Sequence, residues 1–507
     1  MFIDINKRMV AIGCFLLLML ATSCEKMLDI ERPRDSVSDE TAFSNNANAN
    51  SALAGMYGWM MDADGALSFS NGGLSVYAAL LADEGYSSLG AEGVEELQFY
   101  QNKLYTDNSQ VLTMLWDRPY KVIYVANGIL EGVAASTSVL LTDSARRQLN
   151  GEAKLARAFS YFYLVNLFGD VPLLIKTDIT ETSTMGRTPV IEVYKQIEQD
   201  LKDAYALLPD HYLVSGGTKK RPNRWAAAAL LARTYLYQQK WAEAEAQANL
   251  VIESGMFQTL SPANVFKPNS NEAIWQLKHE VSDRAGLYTK DALLFMPEYR
   301  YKYMPDDYKM LFMLPDFYPL VYPYLTPTVP IRAALKDAFE ANDQRKEKWL
   351  EENPTPDIEP WNAVPYWYSS KIERIRAGVG ETTPGDGYLT VLRISEQYLI
   401  RAEARAQIGT DLSGAANDIN QIRNKNGLGN TAAATKEQLL DAVMQERRVE
   451  FFGEYGHRWF DLKRTGRAAT VLGTLDYKQP WSNNHLLMPI PATEIEKNPR
   501  LTPNPGY

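Results

Sequence analysis

Cysteine is almost absent from this chain: two in 507 residues, Cys14 and Cys24. Cys14 sits inside an apolar run from Met9 to Ala21, and Cys24 follows it after Thr22 and Ser23. If that run is removed, one thiol remains, which excludes an internal disulfide framework even in an exported protein. Histidine is nearly as scarce. His211, His279, His457 and His485 are widely separated, and no pair has zinc-ligand spacing. His279-Glu280 begins like a zinc-protease helix but lacks the second histidine. Asp62-Ala63-Asp64-Gly65 starts like a calcium loop, but its glycine comes too early and the closing glutamate is missing. No glycine-rich phosphate loop follows a recognisable strand, and the βαβ rhythm of a dinucleotide fold is missing. Surplus positive charge is lacking too. A net charge of −10 argues against a nucleic-acid surface, which needs concentrated Lys and Arg. The first apolar run, thirteen residues from Met9 to Ala21, is too short for the about 20 residues of a membrane-spanning helix, and no second run reaches that length.

What is present begins with a leader. Lys7 and Arg8 precede the apolar run, and small residues close it, the pattern of a signal peptide over residues 1–23. The end of the run resembles a bacterial lipoprotein box, with Ala21 where a larger aliphatic is usual. Cys24 is then the expected lipidation site, followed by a tether over 24–48. Ordinary secretion with an incidental Cys24 is the bland alternative. Glu25, Lys26, Asp29 and Glu31 resemble acidic export signals of outer-leaflet lipoproteins, although a solvated tether accounts for the same residues. The expected location is the outer membrane, lipid-anchored and facing outward.

The rest is globular in composition, 46% hydrophobic and 22% charged. Asn223 to Glu253 reads as a helix pair. Asn223 caps the first helix after Pro222, and Ala226, Leu230, Arg233, Tyr235 and Leu236 continue it. Gln238-Gln239-Lys240 breaks the pattern, then Trp241, Ala244, Ala248 and Ile252 share a second face that a neighbouring helix can approach closely, and Gly255 ends it. Arg393 to Arg423 repeats the arrangement, with Gly409 to Ser413 as the turn. A divergent copy joins Glu152–Phe168 to Val193–Leu208 across a long loop, Gly169 to Thr188. Further helices are expected at Ala49–Met61, Val111–Val133 and Lys436–Phe452. Three such pairs resemble tetratricopeptide units stacked into an α-solenoid. The expected fold is mainly α: a helical scaffold over 49–284, an irregular loop-rich ligand-facing subdomain over 285–390, and a closing helical part over 391–507.

The middle region departs from helical grammar. Between Ala285 and Pro384 lie 12 of the 26 prolines, including Pro315, Pro319, Pro323, Pro327 and Pro330, a spacing no continuous helix tolerates. Tyrosines crowd the same span, and Trp361 and Trp367 follow. Arg300 and Lys302 alternating with tyrosines suggest a short strand.

The chain resembles the SusD/RagB family of nutrient-uptake lipoproteins. Gly151 to Phe162, leading to Leu167-Phe168-Gly169-Asp170-Val171-Pro172-Leu173, is similar to the family's characteristic helix and loop. Glu446-Arg447-Arg448-Val449-Glu450-Phe451-Phe452, His457 to Arg464, Leu487 to Pro491 and Asn504-Pro505-Gly506-Tyr507 resemble its closing signature. The resemblance implies a non-enzymatic protein, without a cofactor, that captures oligosaccharides, or peptides in some branches, for a SusC-like TonB-dependent outer-membrane transporter. A surface glycoside hydrolase built on a carboxylate pair such as Asp83 and Glu84, or Asp306 and Asp307, and a structural adhesin are the other readings.

Sugar recognition pairs an aromatic face with hydrogen-bonding groups for the hydroxyls, because rings offer rigid apolar area while each buried hydroxyl needs a partner. Asp83 to Tyr105 and the tyrosine–proline region fit that requirement. The candidate ligand contacts are Asp83, Tyr86, Tyr301, Tyr318, Tyr322, Trp361 and Trp367. The charged cluster from Glu446 to Arg464 reads instead as a buried ion network that braces the fold.

Overall fold

The computed structural model describes residues 39–61, 68–88, 93–278, 289–298, 300, 304–312, 314, 316–317, 320, 324–353, 366–372 and 387–507. Helices dominate, and each long one packs on the next: α1 (Asn46–Met61) on α3 (Arg118–Ala135), α3 on α4 (Asp143–Phe168), and α4 on α5 (Val190–Leu207). α2 (Gly73–Leu81) is fully buried beside this stack. The series continues through α6 (Arg224–Tyr237), α7 (Trp241–Glu253), α8 (Ile394–Ile408), α9 (Leu412–Lys425) and α10 (Lys436–Glu450). All three helix pairs expected from sequence are present: α4 with α5, α6 with α7, and α8 with α9. No helix among the described residues is long and apolar enough to cross a membrane.

Local chemistry explains the boundaries. The Asn223 side chain accepts from the backbone N–H groups of Trp225 and Ala226, satisfying donors that the first turn of α6 leaves open. Thr435 and Gln438 form a reciprocal capping box at the start of α10. Inside the stack, small residues set the spacing. Ala226 to Ala229 and Ala244 and Ala248 are completely buried. Gly151 in α4 lies so close to the end of α5 that an added Cβ would stand 2.7 Å from Leu208 side-chain atoms.

Two features depart from the sequence reading. The helix expected over Val111–Val133 begins as a π-helix, Val111–Asp117, before α3 takes over at Arg118. Two short antiparallel ladders were not foreseen. β1 (Ala273–Lys278) pairs with β4 (Tyr388–Arg393), with Lys278 opposite Tyr388; β2 (Leu350–Asn353) pairs with β3 (Tyr366–Ser369). The first ladder crosses the expected 284/285 division. It closes the foot of the segment that leaves the stack after α7 and returns at α8, two helices that pack together although about 140 residues separate them. The strand expected around Arg300 falls almost wholly outside the described residues, as do His279-Glu280 and Asp62 to Gly65. Asp39–Ala42, inside the span expected to be tether, is helical.

The charged cluster is a buried network, as its spacing implied. Arg447 Nε and Arg464 Nε each donate to Asp461 of α11 (His457–Arg464), at 2.7 and 2.8 Å. Burial pushes the Asp461 carboxyl up, but these two guanidinium groups outweigh it and hold it below its ordinary value. Two other buried acids lack such support. Burial raises Asp291 to about 7 and Glu84 to about 8.

Asp291 sets a pH dependence whose sign follows from linkage. An unfolded aspartate loses its proton near about pH 4, whereas the folded one keeps it to about 7. Folded-state stability from this group therefore falls as pH rises through that window. Asp291→Asn removes the penalty. In urea unfolding, the variant's advantage over the parent is expected to grow from pH 4 to pH 8; a difference independent of pH would contradict it.

Candidate functional site

Three chain segments distant in sequence meet as a narrow ribbon. The backbone N–H of Tyr86 donates to the Pro330 carbonyl at 3.1 Å, and that of Ser88 to the Thr328 carbonyl at 3.1 Å. Ile331 N donates to the Trp367 carbonyl at 2.7 Å, and Arg332 N to the Glu84 carbonyl at 2.9 Å. Ile331 thus bridges Gly85 on one side and Trp367 on the other. Gly85 permits the approach, since a Cβ there would stand 2.6 Å from Val329 Cγ1. Tyr86 and Trp367, both expected as ligand contacts, are brought onto one ribbon, although Gly85 rather than Tyr86 lies in register with Trp367.

Trp367 points where the strand pleat sends it. Tyr366 and Tyr368 are buried, while Trp367 between them is half-buried and sits opposite Glu352 in the β2–β3 ladder. The Tyr368 hydroxyl donates to Glu351 Oε2 at 2.6 Å, tying the two strands together. The indole lines a cavity of about 700 Å³ shared with Glu340, Asn342, Gln344, Glu347 and Glu352. Lys336 Nζ stands 5.2 Å from the indole centroid. A half-buried ring beside amides, carboxylates and an ammonium group suits a ligand with one apolar face and many hydroxyls.

A second aromatic cluster braces the same region. Tyr100 stacks on Tyr477 at 4.4 Å with planes 7° apart, and the Arg332 guanidinium lies 4.1 Å from the Tyr477 centroid. Arg332 Nη1 also donates to the Tyr100 hydroxyl at 2.8 Å. Beneath them, Lys478 Nζ donates to the carbonyls of Leu80, Leu81 and Tyr100 and to Asn102 Oδ1, an ammonium enclosed by oxygens. Burial nonetheless pushes Lys478 well below its ordinary value. Arg332, Lys336 and Tyr477 were missed from sequence because nothing local distinguishes them.

Asp83 requires a correction. Its carboxylate is buried, with Arg458 Nε and Nη2 donating at 2.7 and 2.9 Å and Arg448 Nη2 at 3.0 Å. We place it in the scaffold, joining the end of α2 to α10 and α11, not on a ligand surface. Glu84 is buried beside it and accepts from Gly453 N at 3.4 Å. Asp306, the other suggested acid-pair member, accepts from Lys309 at 3.1 Å on an exposed turn of helix. Tyr301, Tyr318, Tyr322, Trp361 and Cys24 lie outside the described residues.

Comparison with known proteins agrees with this architecture. Residues 27–236 match a family described as SusD-like, starch-binding and associating with the outer membrane, and residues 340–507 match the SusD/RagB family. A SusD-like protein from Formosa agariphila is 25% identical over 513 residues, covering 94% of this chain and 96% of that protein. Among solved structures, a laminarin-binding SusD-like protein aligns with a TM-score of 0.71 at 24% identity, over 92% of this chain and all of that one. Surface glycan-binding protein A from Bacteroides thetaiotaomicron, in complex with laminarihexaose, aligns with a TM-score of 0.71 at 19% identity, over 91% of this chain and 99% of the other.

Proposed function

The chain belongs to the SusD/RagB family, and from that premise we propose that it is a non-catalytic surface lipoprotein that captures an oligosaccharide and passes it to a SusC-like TonB-dependent transporter. Lipid on Cys24 holds the helical body at the outer membrane, facing outward. The observation that carries the reading is the Trp367 cavity, in which a half-buried indole is surrounded by side chains able to satisfy sugar hydroxyls. Tyr86 lies on the same ribbon, and Tyr301, Tyr318, Tyr322 and Trp361 remain proposed contacts from the tyrosine–proline region. Glycan binding by relatives of this fold, laminarin in one and laminarihexaose in another, supports the ligand class.

Calorimetry with laminarihexaose and maltohexaose tests it. Trp367→Ala is expected to weaken binding at least tenfold, about 1.4 kcal/mol, with little change in melting. An unaltered dissociation constant removes Trp367 from the site. Shortened products after incubation would identify a hydrolase instead, and binding of peptides alone would assign the chain to a peptide-capturing branch. Recovery of a large outer-membrane barrel with the protein from detergent extracts is the expected result for the transporter; a cell-surface adhesin would lack it.

A further inference from the structure

A second cavity, of about 790 Å³, opens between the end of α1, the π-helix and α3, the loop from Gly169 to Thr188, and α12 (Ala492–Lys497). It shares no lining residue with the Trp367 cavity. We propose that it is a second saccharide subsite, which takes a neutral pyranose chain against Tyr124 with Asp117 and Glu494 accepting from its hydroxyls. This rests on the proposed function only for the class of ligand.

The wall is built before any ligand arrives. Asn498 Nδ2 donates to the Met185 carbonyl at 2.8 Å, joining the long loop to the end of α12. Arg187 adds bonds from Nη1 to the Thr502 carbonyl and from Nη2 to Asn504 Oδ1, at 2.7 and 2.5 Å. Tyr120 is locked, its hydroxyl donating to the Pro172 carbonyl at 2.9 Å and its ring packed on Trp116 at 5.2 Å. Tyr124, one turn further along α3, lines the cavity and is 58% exposed, a large ring left mostly uncovered by the protein.

Charge on the lining narrows the ligand. Asp117 and Glu494 are balanced by Lys121 and Lys497, so neither a polyanion nor a polycation is favoured. Lys497 Nζ donates to Glu494 Oε1 at 2.7 Å, and Lys121 Nζ lies 4.5 Å from the Trp59 centroid. Carboxylates and ammonium groups together offer both acceptors and donors, which hydroxyl-rich rings need. The backbone adds an independent sign. Asp117 ends a seven-residue π-helix, a widened turn that is rare and concentrated at functional sites.

The test uses the full mature chain, laminarihexaose and maltohexaose, with five proteins: the parent, Trp367→Ala, Tyr124→Ala, the double variant, and Trp367→Ala combined with Tyr124→Phe. Tyr124→Ala, at an exposed helix position, is expected to leave melting unchanged and to remove one of two binding events. In the Trp367→Ala background, residual binding should weaken at least tenfold on adding Tyr124→Ala and be restored by Tyr124→Phe. Identical binding by the single Trp367 variant and the double variant overturns the second subsite while leaving the first. Loss with Tyr124→Ala but not with Trp367→Ala has the opposite meaning and supports the second subsite alone. A parent that binds neither sugar at millimolar concentration overturns both, and a cavity that takes neutral peptide but no sugar overturns the ligand class.

Discussion

Arg393→Met is expected to cost about 3–5 kcal/mol of folding stability, the range for breaking a buried ion pair from one side. Arg393 is 3% exposed and ends β4 where α8 begins. Its Nε donates to Glu454 Oε2 at 2.9 Å, Nη1 to Glu272 Oε1 at 2.7 Å and to Glu450 Oε1, and Nη2 to the Glu450 carbonyl at 2.9 Å. Three buried carboxylates thus converge on one guanidinium. Methionine fills the volume but leaves those charges, among the described residues, to Lys371 and Arg345. The pH dependence identifies the cause. Burial pushes Glu450 up, yet Arg393 and Arg345 outweigh it and bring it down to about 2. The stabilisation from a depressed carboxylate is present above its unfolded value, about 4.3, and is lost as pH falls through the folded one. In the variant the unpaired acids take up protons more readily. The gap between parent and variant in urea unfolding should therefore be widest near pH 7 and narrow below pH 4. A loss under 1 kcal/mol, or one equal at both pH values, would show that the network is not what joins the inserted segment to the stack.

Phe159→Ala is the second large effect, again about 3–5 kcal/mol from lost burial plus the cavity left behind. The ring is wholly buried in α4 and meets Tyr163 at 4.9 Å, Phe69 at 5.7 Å, Trp275 at 5.8 Å and Tyr455 at 6.0 Å. Those partners come from the stack, the segment before α2, β1 and the turn before α11, so the ring fills the place where four parts of the chain converge. Large rigid neighbours collapse poorly into a void. Phe159→Leu, which preserves most of the volume, should cost less than about 1.5 kcal/mol. Equal midpoints for the two variants in urea would contradict a tightly packed aromatic centre.

How far the fold was legible depends on the range of the interaction. Asn223 acts within one helical turn, so its capping role could be read directly from sequence, whereas the Thr435–Gln438 box at the start of α10 emerged only in the structure. The alanines at 244 and 248 share a face by spacing alone. The ion network from Glu446 to Arg464 was legible for the same reason, because Arg447, Asp461 and Arg464 meet across two neighbouring helices. Its outer partners were not: Asp83 pairs with Arg448 and Arg458 across 365 and 375 residues. Asp83 was therefore mistaken for a ligand contact, since exposure is decided by distant segments and not by the residue's own neighbours. The π-helix was read as ordinary helix because Val111–Asp117 has the same apolar composition. The two ladders escaped because strands of four to six residues among prolines offer too little alternation.

Sequence alone determined the helical scaffold, its repeated small-residue faces and the family resemblance, because caps, periodicity and close-packing alanines act over a few residues. Tertiary structure alone decided that α7 and α8 are neighbours, that Asp83 faces arginines rather than solvent, and that the segments of Tyr86 and Trp367 meet through Ile331. Those outcomes depend on burial and on hydrogen bonds between segments hundreds of residues apart, which no local pattern encodes.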